Sequence, residues 1–302
     1  MTKTKKIILS IICVVFFVTA TLIAIFIPKP KGLVLNLDQP LGVWWWDKNL
    51  GDKYLNFAQN NNVDEIYYCD SSFSQSTQNF IKKAKAKDIK VYLLAGEKEW
   101  LEDNSNLISL VDNYIEYNSE NNACKFSGIH LDIEPHQFDN FKLLPEDPGY
   151  TPPPAPFEDS TWREYYFYKL VDVAYFITTS YPNIRFDFDI PFWADDLVIY
   201  SGTQKPVYQH IIDLSYRTFI MSYRDSAEKT ISVASDELAY AKAQNKTIFL
   251  GAETSLQSEE IVSYYEEGKK EMYNELDKLK SSISQDYGIA IHHIKSWYNL
   301  KK

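Results

Sequence analysis

Short apolar runs alternate with amphipathic stretches eight times along this 302-residue chain, and this alternation constrains the fold more than any single motif. The runs are "GVWWWD" (42–47), "EIYYCD" (65–70), "KVYLLAG" (90–96), "SGIHLDIE" (127–134), "IRFDFDI" (184–190), "FIMSYRD" (219–225), "TIFLGAET" (247–254) and "GIAIHHI" (288–294). They are rich in β-branched and aromatic residues, as strands buried on both faces must be. Between them lie helical patterns such as "TQNFIKKAKAKDI" and "WREYYFYKLVDVAYFITTS". Eight β-α units in about 270 residues predict an α/β fold, the (β/α)8 TIM barrel, with an open doubly wound sheet as the competing arrangement. Two connections exceed what a barrel needs. Residues 135–160 include the proline-rich "LPEDPGYTPPPAPFEDS", which regular helix or strand cannot accommodate, and residues 191–216 follow the fifth run. Either could decorate the surface or wall a cleft.

The N-terminus predicts a different environment. Lys3, Lys5 and Lys6 precede an uncharged apolar run from Ile7 to Ile27, which stops at Pro28. That run is long enough to cross a hydrocarbon core of roughly 30 Å. Basic residues on its N-terminal side keep that end in the cytoplasm. A cleaved signal peptide has a similar profile, but this stretch is longer than a usual signal core and no small-x-small site follows it. The expectation is a single-pass cell-membrane anchor within residues 1–32, with a barrel domain (33–302) outside the cell. Removing residues 1–32 takes five of the 31 basic residues and none of the 41 acids, leaving 26 against 41, a formal charge of −15. Such a surface does not suit nucleic acid. Outside the anchor only Cys69 and Cys124 remain, so a packed core, not a disulfide framework, must stabilise the chain. No Cys/His cluster has metal-ligand spacing and no glycine-rich phosphate loop is present, so neither metal nor cofactor is expected.

The chemistry concentrates at the ends of the predicted strands. Alternation turns Ile129, Leu131 and Ile133 towards the helices and leaves His130, Asp132 and Glu134 facing the barrel axis. Burying an unpaired carboxylate costs several kcal/mol, so such residues belong where they are paired or near solvent. Glu134 falls at the C-terminal mouth with Asp132 one layer below, where like-charge repulsion raises one carboxyl and creates a proton donor. Asp47 ends the first run after Trp44, Trp45 and Trp46, and Asp70 ends the second. Asp187 and Asp189 share a face of the fifth, with Trp193 just beyond. Tyr223 and Asp225 end the sixth, Glu253 ends the seventh, and Trp297 follows the eighth. Helix capping or surface ion pairing is the competing role for Asp70, Asp225 and Glu253. His292 and His293 fall on opposite faces, so one of them enters the barrel. Acids and aromatic platforms without a metal cluster suit glycosidic bond chemistry.

"SGIHLDIEP" resembles the fourth-strand signature D-G-x-D-x-D-x-E of family-18 glycoside hydrolases, the chitinase-like barrels. Gly128, Asp132 and Glu134 match, while Ser127 and His130 replace the first two acids. "IMSYRD" is similar to the family's M-x-Y-D, with Arg224 intervening between Tyr223 and Asp225, and Trp297 resembles the tryptophan that floors the sugar pocket. The resemblance implies Glu134 as general acid and Asp132 as the group that orients the substrate's own N-acetyl nucleophile, with Tyr223 assisting. A second resemblance is to retaining barrels with an acid/base after the fourth strand and a nucleophile after the seventh, the positions of Glu134 and Glu253. For those enzymes, carboxyls about 5 Å apart imply direct attack by the second carboxylate. The pattern also resembles uncharacterised membrane-anchored bacterial glycosidase-like barrels. The resulting expectation is a membrane-tethered extracellular glycoside hydrolase acting on a polysaccharide. Trp46, Asp47, Asp70, His130, Asp189, Trp193, Asp225 and Trp297 would contact substrate. A carbohydrate-binding barrel without turnover is the alternative, and an envelope scaffold for lipid or protein is a third reading with the anchor alone behind it.

Overall fold

A computed structural model of the chain describes residues 33–301. Eight parallel strands close a barrel: β1 (Leu41–Trp45), β2 (Glu65–Tyr68), β3 (Lys90–Ala95), β4 (Ile129–Leu131), β5 (Phe186–Pro191), β8 (Arg217–Met221), β9 (Ile248–Glu253) and β10 (Tyr287–His292). Pairing follows chain order, and β10 returns to β1 through Leu41 opposite Ile289. The intervening β6 (Val198–Ser201) and β7 (Thr203–Pro206) form a separate antiparallel hairpin between β5 and β8. All eight expected runs therefore supply a barrel strand, and the open sheet is excluded.

Helices α1 (Asp52–Asn60), α2 (Gln75–Lys85), α3 (Ser105–Glu120), α4 (Trp162–Ser180), α5 (Val207–Leu214), α6 (Ala227–Val233), α7 (Ser235–Ala243), α8 (Lys269–Ser282) and α9 (Ile294–Asn299) fill the connections. The start of α4 is fixed by a capping box. Thr161 Oγ1 accepts from the Glu164 N–H at 3.2 Å, and Glu164 Oε2 accepts from the Thr161 N–H at 2.7 Å. The proline-rich segment packs back onto this helix, with Phe138 stacked on Tyr166 at 4.0 Å and Phe141 buried. No helix among the described residues is long and apolar enough to cross a membrane, and the expected anchor at residues 7–27 lies outside them. Cys69 and Cys124 are both free thiols.

Strand parity divides the core in two. Val43, Trp45, Ile66, Tyr68, Ile129, Leu131 and Ile133 join the outer core between strands and helices. Trp44, Tyr67, Tyr92, Leu94, Phe219, Phe249 and Ala290 fill the barrel itself. Below that aromatic layer, Arg217 bridges two buried carboxylates: Nη2 and Nε donate to Asp187 at 2.6 and 3.1 Å, and Nη1 donates to Glu65 at 2.6 Å. Its guanidinium lies over Tyr92 and Phe249 at 4.7 and 4.8 Å. Ions and rings thus close the lower barrel, which confines a site to the C-terminal mouth.

Candidate active site

Glu134, Asp132, Tyr223 and Glu253 come from the C-terminal ends of three strands, β4, β8 and β9, and the barrel gathers them at one mouth. The ladder of β4 ends at Leu131, but the chain stays extended: the Asp132 N–H donates to Ala95 O at 3.0 Å. This approach requires Gly96, since a Cβ there would lie 1.8 Å from the Asp132 carbonyl oxygen. Glu134 follows at the start of a 3-10 turn, Pro135–Gln137. Its side chain is 22% exposed, enough to meet a ligand; Oε2 accepts from the Gln137 amide, and Oε1 lies 3.6 Å from His136 Nε2.

Beneath Glu134, Asp189 is buried and Asp132 half-buried. Burial first, then the charges of Asp189 and Glu134, hold Asp132 well above the ordinary carboxylate range. Burial also raises Asp189, with Glu134 and Asp187 adding to it against an opposing hydrogen bond from Trp44. Asp189 Oδ2 sits 2.7 Å from His130 Nε2 and accepts from Trp44 Nε1 at 3.3 Å. Asp189 Oδ1 and Asp132 Oδ1 are both buried without an ordinary donor. Two carboxyls so close disfavour ionising together, which is part of what raises Asp132. Burial drives His130 down to about 3, which makes it a neutral spacer stacked on Tyr67 at 4.3 Å.

Tyr223 completes the cluster from the segment after β8. Burial, then the charges of Asp189, Glu253, Asp132 and Glu134, hold its phenol well above 10, so it keeps its proton. The ring lies against Gly251, where a Cβ would fall 2.6 Å from Tyr223 Cε1. It also stacks on His292 with centroids 5.8 Å apart. Glu253 has both carboxylate oxygens engaged. Its Oε1 accepts from the Thr254 and Ser255 N–H groups at 2.7 and 2.6 Å, and its Oε2 meets His292 Nδ1 at 2.7 Å. Burial alone would raise it, but the His292 contact and these donors outweigh that, and its pKa is lowered. Its neighbour His292 is the inward-facing histidine, and His292 Nε2 receives the Trp46 indole N–H at 3.1 Å.

The structure places the expected sugar contacts at different depths. Trp297 is fully buried between α9 and the barrel, against Phe57 and with its N–H on Tyr273, so it floors no pocket. His130 and Asp189 are sealed under the mouth, at 0% and 2% exposure. Asp70 accepts from Ser72 N and Thr77 Oγ1 and organises the turn before α2. Asp47 takes the Asn49 N–H, and Asp225 pairs with Lys229 one helical turn on, at 2.9 Å. Trp44 and Trp45 are buried on opposite strand faces, leaving Trp46 as the exposed member of that triplet. Trp193 packs with Phe141, Phe167 and His136 beside Glu134. The site's unexpected member is His292, as the partner of Glu253. Parity alone places His292 inward, but its partner is visible only from the register that sets it opposite Glu253.

No protein-family model matches this sequence, and no match is found among curated proteins. Solved structures share its architecture. A candidate α-L-fucosidase from Bacteroides thetaiotaomicron is 11% identical with a TM-score of 0.50, and the match covers 88% of each chain. A candidate chitinase A from Streptomyces coelicolor is 12% identical with a TM-score of 0.50, over 87% of this chain and 97% of that one. An endo-β-N-acetylglucosaminidase from Cordyceps militaris is 12% identical with a TM-score of 0.48, over 85% and 82%. At such identities the likeness is one of fold, and it does not reach family 18. This chain folds as a TIM barrel of the architecture found among glycoside hydrolases.

Proposed function

We propose that this barrel is a glycoside hydrolase in which Glu134 protonates the glycosidic oxygen and Asp132 orients an N-acetyl group of the substrate as internal nucleophile. The observation that carries the reading is the division of labour among the mouth carboxyls. Glu134 reaches solvent above a half-buried Asp132 and a buried Asp189, while Glu253 has both oxygens occupied. A carboxylate held by two backbone N–H groups and an imidazole is a poor nucleophile, which favours substrate assistance over direct attack. Tyr223, protonated beside these acids, is the donor to the acetamido oxygen. Trp46 is the stacking platform, and Trp193 walls the Glu134 side. The substrate class is a polysaccharide containing N-acetylhexosamine, reached outside the cell from the anchor of residues 7–27.

The test is hydrolysis of N-acetylglucosamine oligosaccharides beside their fully de-N-acetylated counterparts, with the product anomer followed by NMR. Turnover confined to the acetylated series, with retention at the anomeric carbon, is the expected result. Equal turnover of both series would show that Asp132 does not orient an N-acetyl nucleophile. Protease shaving of intact cells tests the anchor, with loss of the barrel domain expected. A second reading, a carbohydrate-binding barrel without turnover, draws support from Ser127 and His130 standing where the resembling family carries acids. Unchanged oligosaccharide binding by an E134Q variant, with no hydrolysis by the native protein, would select it.

A further inference from the structure

We propose that the Glu253–His292 pair is a positioning device that holds the Trp46 indole by its N–H, so that a pre-set aromatic face meets one pyranose ring of the substrate. The inference rests on the hydrolase reading for the identity of that ligand, and on measured contacts for the rest.

Three consecutive tryptophans at the end of β1 send their N–H groups to three different acceptors. Trp44 donates to Asp189 Oδ2 at 3.3 Å and Trp45 to the Asp47 carbonyl at 3.1 Å, and both rings are buried among other rings. Trp46 lies just past the last residue of β1, is 37% exposed, and donates to His292 Nε2 at 3.1 Å. The two rings are 6.1 Å apart with their planes at 73°, so the imidazole holds the indole by its edge and does not stack on it. An indole tied at its polar tip keeps its apolar face for a ligand.

The hold has a direction. The Thr254 and Ser255 N–H groups occupy Glu253 Oε1 at 2.7 and 2.6 Å, which leaves Oε2 to face His292 Nδ1 at 2.7 Å. A carboxylate only accepts, so Nδ1 carries the ring proton, and Nε2 of the neutral imidazole is the acceptor aimed at Trp46. Strand order supplies the reach: Glu253 and His292 are paired across β9 and β10, and β10 adjoins β1. The imidazole is itself seated between Tyr223, stacked at 5.8 Å, and Trp44, edge-on at 5.7 Å. Glu253, Asp132, Asp189, Tyr223 and adjacent His293 face it. Burial lowers its pKa, and the Glu253 contact outweighs burial and raises it. A second ring proton would fall on Nε2 and displace the Trp46 N–H, so the hold belongs to the neutral ring. An indole fixed before the ligand arrives removes the cost of ordering it on binding, so the role shows in Kd and KM.

E253Q should reverse the polarity of this chain. The two backbone N–H groups still require an oxygen, so the amide NH2 faces Nδ1 and drives the ring proton to Nε2, against the Trp46 N–H. The experiment, run at mildly alkaline pH, follows the His292 ring nitrogens and the Trp46 indole N–H by 15N NMR. Alongside, calorimetry gives Kd for an N-acetylglucosamine oligosaccharide in an E134Q background. In E253Q the ring proton should move to Nε2, the Trp46 N–H should exchange faster with solvent, and Kd should rise about threefold to tenfold, as expected for one hydrogen bond. H292N keeps a donor for Glu253 but offers Trp46 no acceptor and should lose as much; H292Q returns an oxygen to that end and should regain part. In W46F no N–H remains to be held, so adding E253Q should change Kd by less than about twofold. Should E253Q fail to fold, the H292N and H292Q pair decides. An unmoved Trp46 signal in the folded variants, or an equal loss of affinity in the W46F background, would overturn the proposal. If the native protein binds the oligosaccharide with the expected variant pattern yet never hydrolyses it, the positioning role stands and the hydrolase reading falls.

Discussion

Replacing Gly251 with alanine should disable the site without replacing any ionisable group. The new Cβ would lie 2.6 Å from Tyr223 Cε1, 3.1 Å from Cδ1 and 3.0 Å from the Ile220 carbonyl oxygen. Carbon atoms in contact settle at about 3.5–4.0 Å, so the ring must retreat by about 1 Å. The β8 backbone, tied into the ladder on both sides, cannot yield instead. A displacement of about 1 Å at a catalytic group costs on the order of a hundredfold in rate, or about 2.7 kcal/mol of transition-state stabilisation. Overpacking should also lower stability by about 1–3 kcal/mol. The assay pairs kcat/KM on an acetylated oligosaccharide with urea unfolding, and Tyr223→Phe serves as the comparison for loss of the hydroxyl alone. Wild-type kcat/KM in G251A, with Tyr223 unmoved in a crystal structure, would refute the claim that this glycine exists to seat Tyr223.

Other expectations follow from the buried charges and the rim. R217A strands Asp187 and Glu65 in the lower barrel and should cost about 3–5 kcal/mol, whereas R217M with D187L and E65L should recover much of it in denaturant melts. Burial holds Glu237, whose two carboxyl oxygens lack partners, at about 8, above its ordinary 4.5. The folded state then keeps a proton the unfolded chain has lost, so this contribution declines as pH rises from 4.5 through 8. At about 1.4 kcal/mol per unit the loss by pH 7 is at most about 3 kcal/mol; E237Q should be the more stable protein at pH 8 and match the wild type near pH 4. W46A should raise KM several-fold with kcat nearly intact, since the indole is a platform and the chemistry lies elsewhere; a selective fall in kcat would count against that assignment.

Much of this was legible in the residues because strand parity is a local signal. His130, Asp132 and Glu134 face inward for the reason that Ile129, Leu131 and Ile133 must face the helices, and the outer core bears this out. What alternation could not convey was depth: His130 and Asp132 share a face, yet one is sealed by Tyr67 and Phe219 and the other lies just beneath the opening. Trp297 was misplaced because a tryptophan after the last strand reads as rim. The signal against that was present in "HHIKSW". His293 caps α9, so Ile294 and Trp297, three apart, share its buried stripe. The β6–β7 hairpin escaped notice because Val198 and Tyr200 are exposed and its turn rests on Gly202 at φ +74°. Glu253 illustrates the limit most clearly. Its position after the seventh barrel strand suits a nucleophile, and only the neighbouring strand reveals that His292 already occupies it.

The mechanism depends first on Glu134, and its direct measurement is turnover and binding by E134Q on one N-acetylglucosamine oligosaccharide. Loss of kcat by at least about a thousandfold, or about 4 kcal/mol, with the calorimetric Kd within threefold of the wild type, is the outcome expected of a general acid. Hydrolysis by E134Q at near wild-type rates would contradict the assignment of Glu134 and the mechanism built on it.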